Sequence, residues 1–125
     1  MSLRVAVVQF QITHLDREAN FSRIEDFTKR AVEERAQVIV FPEDCITGSI
    51  FGDLSELDTT GVTKMAFQEL AKKHHIDIVT GSCMEGAPHG NFNTSYYIDA
   101  TGSVLGTYHK NHLYPSEYKF LTPGT

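Results

Sequence analysis

Three charged residues stand where side chains could move protons. Glu43 follows directly on the apolar run at residues 38–41 and Pro42. Ligands in an open α/β sheet gather beyond the carboxyl ends of the parallel strands, so a carboxylate at such an end is placed to accept a proton. Pro42 stiffens the approach, and the glycine-containing segment after Glu43 leaves room for a substrate. Lys110 closes the segment GTYHK beside Tyr108. An ammonium group fixed there could face a developing oxyanion. Glu117, in PSEY, is a further carboxylate. Each has an ordinary reading as well: a solvated loop glutamate, a surface lysine, and a turn or helix-start carboxylate.

Other candidates carry less. Cys45 and Cys83 are too few for a disulfide framework or a four-ligand structural zinc site. Small loop or buried cysteines are common without being nucleophiles. His109 and His112 have H-x-x-H spacing and His74 adjoins His75, but a metal needs a third ligand that no motif supplies, so no metal is expected. Gly81, Gly86 and Gly90 do not follow G-x-G-x-x-G, and no phosphate loop is present, so no cofactor is expected. Phe92, Tyr96, Tyr97 and Tyr108 fit hairpin packing better than a platform for bases.

The elements that must position these residues alternate. Residues 3–10 begin LRVAVV, apolar on both faces as a buried strand is. A helix is expected over residues 17–36, capped by Asp16, with Phe21, Ile24, Phe27 and Ala31 on one face. Residues 38–41 form a second strand that Pro42 ends, since proline cannot donate to the ladder. Residues 44–61 read as a long loop. A second helix over residues 62–75 presents Val62, Ala66 and Leu70, and a third strand covers residues 76–82. Residues 81–93, with three glycines and a proline, read as a turn-rich connection. Segments 93–99 and 104–110 then flank DATGS as a β-hairpin.

This order, β-α-β-α-β followed by a hairpin, is an α/β pattern. Right-handed crossovers would set the first three strands parallel, with the helices on one face. Strands apolar on both faces need cover on both, and two helices cannot supply it. A further sheet or a second copy of the chain is therefore expected on the other face.

Composition narrows the partners. The 125 residues are 41% hydrophobic and 22% charged, a globular balance. A formal net charge of -5 argues against nucleic acid or an anionic membrane as a main partner. No apolar run approaches a membrane span, and Gln9 interrupts the N-terminal apolar stretch too early for a secretory signal, so a reduced, cytoplasmic setting is expected.

Several segments together resemble the nitrilase, or carbon-nitrogen hydrolase, superfamily. They are VVQF, IVFPED, FNTSYYID, VLGTYHKNHLYPSE and FLTPGT, in the family's order and over essentially the whole sequence. The resemblance implies a four-layer αββα sandwich, of which residues 1–125 would be the N-terminal part of a single domain. It implies hydrolysis at a carbon-nitrogen bond of a small amide, carbamoyl compound or nitrile, of amidase type, through a cysteine thioester. On this resemblance Glu43 is the general base and later the general acid. Lys110 stabilises the tetrahedral intermediate, and Glu117 positions the lysine or assists proton transfer. His112 matches the K-x-H-L histidine in a supporting role. The family's nucleophilic cysteine falls in the second half, and neither Cys45 nor Cys83 matches it. These residues alone are therefore expected to be inactive. Assembly as a homo-oligomer is also expected. A non-catalytic half-domain that pairs with itself or binds a partner is the alternative. A flavodoxin-like domain fits less well, because residues 9–14 lack the glycine of a phosphate-binding turn.

Overall fold

The computed structural model describes residues 2–125. Chain order is β1 (Val5–Val7), α1 (Arg17–Glu33), β2 (Val38–Val40), α2 (Val62–His74), β3 (Asp77–Val79), β4 (Cys83–Ala87), β5 (Gly90–Ile98) and β6 (Val104–His109). Strands β1, β2 and β3 are parallel, in register Val7, Val40 and Val79. Long β5 runs antiparallel to its neighbours. It pairs with β3 and β4 along one edge and with β6 along the other.

Both helices lie on one face of this sheet. Ile24 and Ala31 of α1 and Phe67, Leu70 and Ala71 of α2 join Ile39, Ile78 and Ile98 in one buried cluster. Burying these side chains stabilises the fold by about 1.5–3 kcal/mol for each large one. Asp16 caps α1 by accepting from the Ala19 N–H at 3.0 Å, as expected. The helix stops three residues short of the expected end, and Arg35 then takes a left-handed φ of 60°. In α2 the buried face is centred on Phe67 rather than on Val62, which is 59% exposed. Phe67 wins because it meets Phe21 and Phe41, with ring centroids 5.8 and 6.0 Å away.

No helix covers the opposite face of the sheet. Val7, in register there with Val40 and Val79, is 79% exposed, as the two-helix argument anticipated. The α-layer and β-layer are thus one half of an αββα arrangement.

The segment read as a turn-rich connection is instead a strand hairpin. β4 and β5 pair from Cys83 against Thr94 to Ala87 against Gly90, leaving only Pro88 and His89 in the turn. Glycine content concealed the strand. Gly86 lies within it, where a Cβ would press on the Thr59 side chain at 3.1 Å.

The long loop after β2 is anchored to α1 by buried Asn20. Its Nδ2 donates to the carbonyls of Thr13 at 2.7 Å and Ile46 at 2.8 Å, and its Oδ1 accepts from Thr13 N–H at 2.8 Å. A buried amide with its hydrogen bonds filled holds a loop as an apolar contact cannot.

Candidate functional site

Glu43 leaves the carboxyl end of β2, Lys110 follows the last residue of β6, and Glu117 opens a short 3-10 turn, Glu117–Lys119. Three segments distant in sequence therefore meet at one corner of the sheet. Lys110 Nζ donates to Glu43 Oε1 at 2.7 Å and to Glu117 Oε2 at 3.0 Å and Oε1 at 3.2 Å. The lysine is fixed on the main chain too: its N–H donates to the Asn93 carbonyl, and its own carbonyl accepts from Gly124 N–H, both at 2.9 Å. Glu117 is held by the Tyr114 N–H, which donates to Oε2 at 2.6 Å.

The carboxylates differ in environment. The Glu43 side chain is 55% exposed and that of Glu117 13%, so Glu117 depends far more on its cation. Burial pulls the Lys110 ammonium towards neutrality, yet the hydrogen bonds and charges of Glu43 and Glu117 outweigh it and hold the group above the ordinary lysine range. The lysine stays charged, as a group facing an oxyanion must.

Two further residues belong to this corner, and the sequence reading passed over both. Asn93 of β5 donates from Nδ2 to Glu43 Oε1 at 2.9 Å. Its signal was a polar amide inside a strand, where asparagine is disfavoured without a local reason. Asp44 adopts a left-handed φ of 51° directly after Glu43, and its N–H donates to Ser82 Oγ at 3.1 Å. Burial, then the charges of Glu43 and Glu117, push its carboxyl up to about 7. Here the turn is locked against the end of β3, because Gly81, at φ 72°, packs where a Cβ would collide with the Pro42 carbonyl.

The thiols lie apart from this hydrogen-bonded group. Cys45 is fully buried, and its Sγ donates to the Thr80 carbonyl at 3.3 Å. Burial and the neighbouring Asp44 charge push it up to about 12. Cys83 donates to Glu85 Oε1 at 3.6 Å. Burial, then that carboxylate, drive its thiol up as well. Both are disfavoured as thiolates.

The histidines are scattered. His109 lies against Thr94 Oγ1, with Nδ1 at 3.0 Å, and stacks on Phe92 with centroids 4.4 Å apart. His74 Nε2 is 3.3 Å from Glu25, and His112 is exposed. Among the described residues no cluster of three or more His, Cys, Asp or Glu could hold a metal ion.

Known proteins resemble the chain along nearly its whole length. The family model described as carbon-nitrogen hydrolase matches residues 4–124. The 2-oxoglutaramate amidase of Bacillus subtilis is 30% identical over 129 aligned positions, covering 100% of this chain and 49% of that protein. An omega-amidase of Danio rerio is 30% identical, covering 97% of this chain and 47% of its own length. Among solved structures, an amidase mutant from Nesterenkonia sp. AN1, with acrylamide added to its active-site cysteine, superposes with a TM-score of 0.90 at 26% identity. That match covers 99% of this chain and 50% of the other. A second mutant of that amidase, in complex with butyramide, gives 0.86 at 27% identity, over 98% of this chain and 49% of the other. The chain spans about half the length of the curated relatives it matches.

Proposed function

The chain belongs to the carbon-nitrogen hydrolase family, and from that premise we propose that residues 1–125 are the N-terminal part of one hydrolase domain acting on small amides. Glu43 serves as base and acid, Lys110 as the oxyanion's counter-charge, and Glu117 as the group that holds Lys110. The observation that carries this reading is the single ammonium group bonded to both carboxylates.

The chemistry proceeds in balanced steps. A cysteine thiol other than Cys45 or Cys83 gives its proton to Glu43, and sulfur bonds to the amide carbon. The carbonyl electron pair moves onto oxygen, facing Lys110. Collapse of that intermediate breaks the carbon-nitrogen bond, and Glu43 returns the proton to the departing amine. Water then gives a proton to Glu43 and attacks the thioester; the carbon-sulfur bond breaks and Glu43 returns that proton to the departing sulfur, freeing the acid and the thiol. Because relatives include amidases and a neighbour binds butyramide, short aliphatic amides rank first, ahead of carbamoyl compounds and nitriles.

The test is ammonia release by the full-length protein, which supplies that cysteine, from a panel of the three substrate classes, with Glu43→Gln as control. Release from amides that falls at least a thousandfold in the control fits the proposal. Release that survives Glu43→Gln removes the role given to that residue.

The bare sheet face favours a second reading: two copies stacking sheet on sheet, in a homo-oligomer without catalysis. Exposed Val5 and Val7 supply apolar surface that such a pairing would hide. A monomer at micromolar concentration by light scattering, with one cooperative unfolding transition, counts against it.

A further inference from the structure

We propose that Asn93 is a positioning residue that, together with Lys110, occupies Oε1 of Glu43 and leaves Oε2 to carry the proton, an assignment resting on the function proposed above. Asn93 is 2% exposed, within β5. Its side-chain Nδ2 donates to Glu43 Oε1 at 2.9 Å, while its main-chain carbonyl accepts from the Lys110 N–H at 2.9 Å. One residue therefore fixes the carboxylate through its side chain and the lysine through its backbone.

The consequence lies in the two oxygens of Glu43. Oε1 accepts from both Asn93 Nδ2 and Lys110 Nζ. Oε2 accepts no hydrogen bond among the described residues. Protonating Oε1 would set a new O–H against two donors already in place, whereas Oε2 has free lone pairs. Oε2 is thus the atom that takes the thiol proton, forming an O–H bond as the S–H bond breaks. It is also the atom that releases that proton to the departing amine.

The other end of the Asn93 amide supports the assignment. Its Oδ1 is buried and has no hydrogen-bond partner. Turning the amide over would face Oδ1 towards Glu43 Oε1, acceptor against acceptor, so the orientation is set by the carboxylate. A buried acceptor without a donor lowers stability. The fold keeps one here because the donor end is committed to Glu43, and local costs of this kind concentrate at functional sites. Asparagine also suits the task because its N–H donors persist at every pH. Aspartate in its place would supply an acceptor and a like charge.

The experiment follows the Glu43 side-chain carboxyl and the Asn93 side-chain NH2 by NMR during a pH titration of the 125-residue chain. In the wild type the Asn93 NH2 signals shift with ionisation of Glu43, and Glu43→Gln abolishes that shift. In turnover of the full-length protein, Asn93→Ala lowers kcat about tenfold with KM within about twofold, and Asn93→Asp, nearly the same shape without a donor, lowers it at least as much. A kcat within about twofold of wild type in both variants overturns the proposal. So does a wild-type Asn93 NH2 signal indifferent to Glu43, a measurement that needs no variant to fold. Coupling in this chain, with no ammonia release from any amide by the full-length protein that carries the nucleophilic cysteine, refutes the proposed function and leaves the hold on Glu43 standing. Ammonia release without coupling refutes the hold alone.

Discussion

Replacing Lys110 by Met removes the cation between Glu43 and Glu117 while keeping most of its apolar stem. The Glu43 side of the contact is 55% exposed, so it contributes at most about 1 kcal/mol as a surface pair. The Glu117 side is 13% exposed, and a hydrogen bond to a charged group in such a place is worth about 1.5–3 kcal/mol. Glu117 keeps the Tyr114 N–H, and the lysine's own desolvation cost disappears with it. The expected net loss is therefore about 2 kcal/mol at pH 7, or roughly 8 °C in Tm for a domain of this size. The pH dependence has a definite sign. Lys110 is held above the ordinary lysine range in the fold, so its contribution is complete below that range and disappears as pH rises through the folded value. Urea unfolding followed by circular dichroism, at pH 7 and at about pH 11.5, reads both effects. A loss under about 0.5 kcal/mol at pH 7 refutes the argument, as does an equal loss at both pH values.

Asp44 behaves in the opposite sense to a salt-bridged acid. Its carboxyl is raised to about 7 in the fold, so stability falls as pH rises from the ordinary aspartate range through about 7. Asp44→Asn, which tolerates the left-handed backbone, should be more stable than the wild type at pH 8 by on the order of 1 kcal/mol. The two should converge near pH 4 in the same unfolding assay. Gly81→Ala drives a methyl group into the Pro42 carbonyl at a positive φ and should cost about 3 kcal/mol or more, read as a lowered urea midpoint. Cys45 and Cys83, both held as thiols, should resist iodoacetamide at pH 7.5 in the folded chain and react fully in urea, as intact mass would show.

The frame of the fold was legible because its signals are local. Apolar runs at residues 38–41 and a 3.6-residue stripe through Ile24 and Ala31 each point to one kind of element. The β4–β5 hairpin was not legible, because Gly86 and Gly90 looked like loop composition while the pairing that makes them strand is a long-range fact. For the site, the family pattern brought forward Glu43, Lys110 and Glu117, and the structure sets both carboxylates within hydrogen-bonding distance of the Lys110 ammonium. Asn93 and Asp44 stayed hidden for a physical reason. Their importance comes from where β5 and the turn after β2 place them, and neither short-range spacing nor charge reveals a partner 50 residues away.

Ammonia release from a short aliphatic amide, compared between wild type and Glu43→Gln, tests the central claim most directly. The full-length protein that carries the nucleophilic cysteine should release ammonia, and its near-isosteric Gln variant, unable to take a proton at neutral pH, should fall by at least a thousandfold with its fold unchanged. Equal rates from the two proteins would contradict the account, because proton transfer by Glu43 would then be no part of the reaction.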